Sequence, residues 1–296
     1  MDKKKHTEFR CSCFVVGASK SGTTWLWENF SRHKSLFVPE KKEIHYFNKE
    51  GIGKSYLHNS NFKKNINWYH SHFCGSNEKL CVDISPLYLL SSEKNIYSYN
   101  KNSKIIVLLR DPISRSISDF KYRIQKGWLS RNCTFNSAIK KYPEIIHHSL
   151  YFENLSRYIE TFGRDNVLII LFDEINKNPR NVLKKCSNFL EIEEFIDINI
   201  DKKINPTRYP KYQLIIYTLT HLRLFLFKLG AGMIYNVLIS FDIVKKIIKN
   251  LQSSDSQRSF SELPFSEHKS VFSKYFSDDV NSLEKVLNID LESWKR

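Results

Sequence analysis

Residues 13–26, Cys-Phe-Val-Val-Gly-Ala-Ser-Lys-Ser-Gly-Thr-Thr-Trp-Leu, constrain the fold more than any other part of this chain. Phe14, Val15 and Val16 form a short apolar run of the kind that fills a buried parallel strand. The run passes directly into small residues between Gly17 and Gly22, and from Thr23 the spacing of Trp25, Leu26 and Phe30 predicts a helix. A strand, a loop of Gly, Ser and Lys, and a helix N-terminus in succession make an anion site. Backbone N–H groups converge there, the helix dipole is positive, and Lys20 and the hydroxyls add donors. The stretch predicts a phosphate-bearing ligand; a strand-to-helix turn that binds nothing is the plainer alternative for so short a motif.

One position narrows the ligand. A nucleotide-hydrolysing loop reads GxxxxGK[ST], with Lys directly after the second Gly. Gly17 and Gly22 have that spacing, but Thr23 stands where the Lys belongs, and the loop's own lysine is Lys20. A kinase or ATPase reading thus lacks its γ-phosphate lysine. The segment Lys20-Ser21-Gly22-Thr23-Thr24-Trp25-Leu26 instead resembles the 5′-phosphosulfate loop of sulfotransferases. Those enzymes use 3′-phosphoadenosine-5′-phosphosulfate (PAPS), and the resemblance makes Lys20, Ser21, Gly22, Thr23 and Thr24 the expected phosphosulfate-binding residues.

The likeness continues in order along residues 10–190. Lys42-Glu43-Ile44-His45-Tyr46-Phe47 resembles the Lys-Glu-x-His-Phe-Phe segment of carbohydrate sulfotransferases related to the heparan sulfate enzymes, which implies Glu43 as the catalytic base. On a strand His45 would share Glu43's side, where it would orient the acceptor or share its proton. An ordinary polar surface histidine is the other reading, and a solvated charged turn is the plain reading of the whole segment. Asn67-Trp68-Tyr69 with Phe73 matches a Trp-Tyr-x-x-x-Phe element of the same enzymes, and Asp83 stands in the Glu-x-Ser-Pro-x-Tyr element formed by Ser85, Pro86 and Tyr88.

Residues 104–109 are apolar on both faces, which predicts an interior strand of a parallel sheet ending at Arg110. Open α/β sheets bind ligands at that end of their strands. Ile113, Ile117 and Phe120 then fall on one helical stripe. Arg110 and Ser118 match the family's 3′-phosphate motif, strand-Arg-x-Pro-x-x-Arg-x-x-Ser, and an Arg fork suits phosphate better than Lys does. A structural ion pair of Arg110 with Asp111 is the alternative. Residues 165–174 predict another buried parallel strand and 179–190 a helix with Val182, Leu183, Cys186, Phe189 and Leu190 on its apolar face.

Composition enters where function classes are excluded. The chain of 296 residues carries 46 Lys and Arg against 31 Asp and Glu, a formal charge of +15, which suits an electropositive cleft for polyanions. No basic helix, finger or aromatic RNA-binding motif accompanies the charge, so no nucleic-acid partner is expected. The 6 cysteines have no CxxC spacing, which argues against zinc and for reduced thiols. Residues 1–10 are polar rather than a secretory leader, so the expectation is cytoplasmic. Residues 211–251 combine apolar runs with Arg223, Lys228, Lys245, Lys246 and Lys249. They predict amphipathic helices that pack on the core, cap the acceptor site, or lie peripherally on the inner face of a membrane.

The whole reading is an α/β fold, a P-loop-like central parallel β-sheet flanked by helices on both faces, as one sulfotransferase domain over 1–296. The resemblance implies transfer of a sulfuryl group from PAPS, without metal, to a hydroxyl or amine of an anionic glycan or glycolipid. The expected catalytic residues are Glu43, Lys20 and His45, with Arg110 and Ser118 on the cofactor's 3′-phosphate. A P-loop kinase and a non-catalytic nucleotide-binding module are the rival classes.

Overall fold

The computed structural model describes residues 9–48, 61–76, 79–196, 212–229 and 265–295. Its centre is a sheet of 5 strands in the order β2-β3-β1-β4-β5. These are β1 (Cys13–Gly17), β2 (Leu36–Phe37), β3 (Leu80–Ile84), β4 (Lys104–Leu109) and β5 (Val167–Leu171). Every pairing is parallel, with Phe14 opposite Asp83 on one side and Ile105 on the other. Parallel neighbours need crossovers, and the crossover helices cover the sheet on both faces, as the apolar character of β1 and β4 requires.

Alternation along the strands divides the core in two. Phe14, Val16, Ile105, Val107 and Leu109 face one layer, shared with Leu155 and Tyr158 of the helix Phe152–Phe162 and Val280, Leu283 and Leu287 of the helix Ser277–Leu287. Cys13, Val15, Ile106, Leu108 and Ile170 face the other, against Trp25, Leu26 and Phe30 of the helix Thr23–Phe30 and Val182, Leu183 and Cys186 of the helix Pro179–Leu190. The C-terminal pieces are tied in by polar contacts as well. Asp279 accepts the N–H groups of Tyr151 and Phe152 at 2.8 and 3.0 Å, satisfying donors at the start of Phe152–Phe162.

Several elements differ from the sequence reading. The strand expected over 165–174 ends at Leu171, at the sheet edge, and Asp173 and Glu174 open the helix Phe172–Lys177 instead. Acidic residues in a first turn complement the helix dipole. Residues 40–47 form no strand: Glu43 and His45 adopt positive φ of 63° and 53°, which breaks the extended pleat. The helix Pro112–Gln125 buries Ile113 as expected, but it also buries Arg115, Asp119 and Arg123, while Ile117 and Phe120 are half-buried.

Of the 211–251 segment, Gln213–Lys228 is helical, and residues 230–251 lie outside the described residues. The helix is held on the turn that ends Pro112–Gln125. Gln213 Nε2 donates to the Leu129 carbonyl at 3.0 Å and Thr220 Oγ1 to that of Lys126 at 3.1 Å. Gly127 permits the approach, because a Cβ there would lie 2.8 Å from the Ile216 carbonyl oxygen. Among the described residues no helix is long and apolar enough to cross a membrane.

Candidate functional site

The loop that follows β1 folds over the C-terminal ends of β1 and β4. The Ala18 N–H donates to the Leu108 carbonyl at 2.6 Å and the Ser21 N–H to that of Ala18 at 3.2 Å. The chain then turns through Lys20 at φ 71° and Gly22 at φ 95°, both left-handed. Glycine is required at 22 twice over: by that φ, and because a Cβ would meet Ile175 Cδ1 at 3.0 Å and Phe172 Cδ2 at 3.1 Å. The turn delivers the helix Thr23–Phe30 with no side-chain cap and no acidic residue in its first turn. Its leading N–H groups are thus offered to an anion at the positive end of the helix dipole. Ser21 Oγ is buried and lacks a hydrogen-bond partner in this structure, one more donor suited to an anion.

Lys20 Nζ lies 3.6 Å from the centroid of the Tyr122 ring, on the helix Pro112–Gln125. Burial lowers its pKa to about 8, against the pull of Asp119 and Glu43. Arg110 leaves the end of β4 beneath the same loop, donating Nη1–H to the Lys20 carbonyl at 3.2 Å. Its guanidinium carbon sits 4.6 Å from the Phe172 ring centroid. Asp111, the other partner considered for Arg110, is the N-cap of Pro112–Gln125, accepting the Ser114 N–H at 2.6 Å, and its charge also favours the Arg110 guanidinium. Ser118 is half-buried, one helical turn before Tyr122.

Facing the loop is the segment 40–47. Lys42 Nζ donates to Thr24 Oγ1 at 2.6 Å and stands 3.5 Å from Glu43 Oε1. His45 Nε2 stands 3.4 Å from Glu43 Oε2. The two residues expected to share a strand face therefore do converge, through two left-handed turns rather than a pleat. Burial also lowers the Lys42 pKa, opposed by Glu43.

Beneath that segment lies Asp83, wholly buried on β3. Its carboxylate takes hydroxyl hydrogens from Ser85 at 2.7 Å, Tyr88 at 3.0 Å and Tyr69 at 3.2 Å. Two of these hydroxyls accept in turn: Tyr88 from the Tyr46 N–H at 2.8 Å and Ser85 from the His45 N–H at 3.4 Å. The Glu43 N–H donates to the Ile84 carbonyl at 3.2 Å, so the strand end and its hydroxyls fix the backbone of the Glu43–His45 turn. Burial raises the Asp83 pKa to about 6, with the three hydroxyls pulling it down.

A second buried charge group lies on the helix that carries Tyr122. Arg115 and Arg123 lie 3.5 and 3.4 Å from Asp119 Oδ2, and Arg123 lies 3.3 Å from Glu144. Arg115 also donates to the Ile145 carbonyl at 2.6 Å and to the Ser149 hydroxyl at 2.5 Å. Although burial disfavours its charge, Arg115 and Arg123 hold the Asp119 pKa below the ordinary carboxylate range.

Sequence reasoning did not single out Tyr122, Phe172 or Asp119, and it named Lys42 only as part of the Lys-Glu-x-His-Phe-Phe match, with no role of its own. For Tyr122 there was a signal, its place four residues after Ser118 in one helical register; Phe172 reaches the site as the first residue of the helix after β5, and no local pattern marks it. Among the described residues no three His, Cys, Asp or Glu side chains gather at metal-binding spacing.

A profile of the sulfotransferase domain matches residues 11–208 of the chain. Over 124 residues the sequence is 36% identical to the membrane-associated sulfotransferase kil1 of Dictyostelium discoideum, covering 40% of this chain and 24% of that protein. Over 195 residues it is 25% identical to heparan sulfate glucosamine 3-O-sulfotransferase 5 of Mus musculus, covering 60% of this chain and 52% of that one. The chain thus spans about half or less of the length of these curated relatives. In fold it is similar to a sulfotransferase from Alicyclobacillus acidocaldarius, with a TM-score of 0.68 at 21% identity, over 98% of this chain and 100% of that one. With the domain match extending over two thirds of the sequence and running through the anion loop, β4 and Arg110, the chain belongs to the sulfotransferase family.

Proposed function

We propose that this protein transfers a sulfuryl group from PAPS to a hydroxyl or amine of an anionic glycan or glycolipid. The observation that carries the reading is the meeting of a buried ammonium, Lys20, with an uncapped helix N-terminus, opposite a segment that brings Glu43, His45 and Lys42 together. The donor set fits the cofactor: Ser21 Oγ is a buried hydroxyl lacking a partner in this structure, and the left-handed turn at Gly22 presents the uncapped N–H groups that open Thr23–Phe30. When bound, PAPS supplies an activated sulfuryl group whose departure leaves a phosphate anion.

The chain's own residues then have three tasks. Lys20 and the N–H groups at the start of Thr23–Phe30 neutralise charge developing on the 5′ side, an electrostatic contribution larger in the transition state than in the ground state. Arg110, on the far side of the loop, holds the 3′-phosphate together with Ser118. Glu43 removes the acceptor proton, a role that contributes roughly 10²–10⁴-fold when the base is well placed. Lys42 and His45 hold the Glu43 carboxylate in position. A carboxylate base, the net charge of +15 and the heparan sulfate relatives together favour an anionic sugar acceptor over a phenol. The 6 free cysteines, 4 of them buried, suit a cytoplasmic, reducing setting.

The test is transfer of radiolabelled sulfate from PAPS across a panel of anionic oligosaccharides, lipid-linked glycans and phenols. Label in the glycans, with no γ-phosphoryl transfer from labelled ATP in a parallel assay, supports the reading. Label confined to phenols overturns the acceptor class, and none on any acceptor overturns the activity.

A further inference from the structure

The helix Gln213–Lys228 turns an apolar side away from the protein. Leu214, Ile215, Leu219, Leu222, Phe225 and the following Leu229 are exposed, Leu214 at 75% and Phe225 at 57%. At about 100° per residue these positions fall within an arc of about 140°, in which Thr218 is the one polar position. The opposite side makes the attachments: Gln213 and Thr220 to carbonyls of the 126–129 turn, and Ile216 buried against Gly127. A surface helix ordinarily shows the reverse arrangement. Single exposed apolar residues need no explanation, but a contiguous row of six marks a contact surface.

Charge identifies the occupant. The helix sequence contains Arg223 and Lys228 and no acid, and both positions fall about 40° outside the apolar arc, one on either side. Residues 211–251 as a whole hold Lys211, Arg223, Lys228, Lys245, Lys246 and Lys249 against Asp242 alone. A helix that pairs an apolar face with basic and no acidic sequence positions matches a surface that is apolar beneath and anionic above, which is a bilayer containing acidic lipid. The helix is also too short and too charged to span that bilayer, so it would lie in the interface. We infer that the Leu214–Leu229 face docks on an anionic membrane surface. Its anchor at residues 126–129 lies a few residues beyond Tyr122, whose ring meets Lys20. The inference does not depend on the sulfuryl-transfer reading, since the lipid contact can be measured without any donor or acceptor.

The experiment is co-sedimentation of the full chain with vesicles of phosphatidylcholine alone and of phosphatidylcholine with phosphatidylglycerol. The expected result is binding to the mixed vesicles, weaker binding to the neutral ones, and a loss of affinity as salt rises. The double variant Leu222→Glu/Phe225→Glu should bind the mixed vesicles at least about tenfold more weakly, since two apolar side chains leave the contact, while its melting temperature stays at the wild-type value. Several results overturn the proposal: no preference for acidic lipid, undiminished binding by the double variant, or a lowered melting temperature, which means that the chain itself covers the face in solution. A wild-type dimer by light scattering that the double variant converts to monomer, without vesicle binding, assigns the face to a second copy instead.

Discussion

Asp83 and His45 share one hydroxyl: Ser85 Oγ gives its hydrogen to the Asp83 carboxylate at 2.7 Å and receives the His45 N–H at 3.4 Å. Tyr88 repeats the arrangement toward Tyr46. A carboxylate that accepts from both hydroxyls leaves their lone pairs for the two backbone donors, so Asp83 sets the direction of both bonds. The buried acid acts on the Glu43–His45 turn through its neighbours.

Asp83→Asn should therefore lower kcat by roughly 10- to 100-fold while leaving affinity for 3′-phosphoadenosine-5′-phosphate (PAP) near wild type, because the amide N–H₂ group competes with hydroxyl donors and loosens the Glu43 turn. Its stability signature depends on pH. With a folded pKa of about 6, raised above the unfolded value, Asp83 contributes stability that is fully present below the unfolded pKa and lost as pH rises through about 6. The gap in melting temperature between wild type and Asp83→Asn should then narrow from pH 4 to pH 7; a gap that widens contradicts the assignment.

The role proposed for Lys20 requires an ammonium. Its pKa of about 8 in the free protein predicts that kcat/KM falls as pH rises above about 8. Lys20→Arg, permanently charged, should lose that alkaline limb while keeping measurable activity. Lys20→Ala should cut turnover far more than PAP affinity, because the charge it balances develops mainly in the transition state. Equal losses in both would make it a binding residue only.

Arg110→Ala should weaken PAP binding by roughly 1.5–3 kcal/mol, the cost of a charge-assisted contact. Adenosine-5′-phosphosulfate, which has no 3′-phosphate, should bind both forms about equally. Because Arg110 also supports the loop through the Lys20 carbonyl, Phe172→Leu is a useful companion: it alters the guanidinium's platform and keeps the loop bond. It should produce a smaller loss in the same assay. Calorimetry with the two nucleotides decides the matter, and unchanged PAP affinity in Arg110→Ala sinks the role.

Glu43→Gln keeps size and hydrogen bonding but accepts no proton. Turnover should fall by roughly 10² or more, with PAP affinity and melting temperature close to wild type. Glu40→Gln should change little, since Glu40 is exposed. An active Glu43→Gln enzyme would transfer the base to His45, which stands 3.4 Å from the Glu43 carboxylate.

What the sequence could reveal depended on how local the cause was. The strand, loop and helix of residues 13–30 were legible because apolar spacing and glycine placement act over a few residues, and β4 and Pro179–Leu190 were legible for the same reason. The convergence of Glu43 and His45 was expected from the period of a strand, yet it arises from two positive φ angles that no periodicity encodes. Arg115, Asp119 and Arg123 stand at i, i+4 and i+8, a spacing that reads as a solvated row of ion pairs. They are buried because Glu144, Ile145 and Ser149 close over them, and that closure is a long-range event. The resemblance put Asp83, Ser85 and Tyr88 in one element, but nothing local showed that their hydroxyls meet on the Asp83 carboxylate or that Tyr69 joins them from the helix Ile66–Ser71.

The placing of Lys20 against an aromatic ring has a consequence for how the protein can be handled. Burial lowers its pKa from 10.5 to about 8, so at neutral pH the folded chain carries an ammonium that it holds less readily than water does. That disadvantage is fully present at pH 7 and lifts only as pH rises through about 8 toward the unfolded value. An anion that meets the ammonium removes it by another route and adds its own binding free energy to the folded state. The melting temperature thus becomes a gauge of donor occupancy. Sulfate, PAP and candidate inhibitors can be ranked by the heat the protein withstands, with Arg110→Ala as the weakly responding reference for PAP, before any acceptor is in hand.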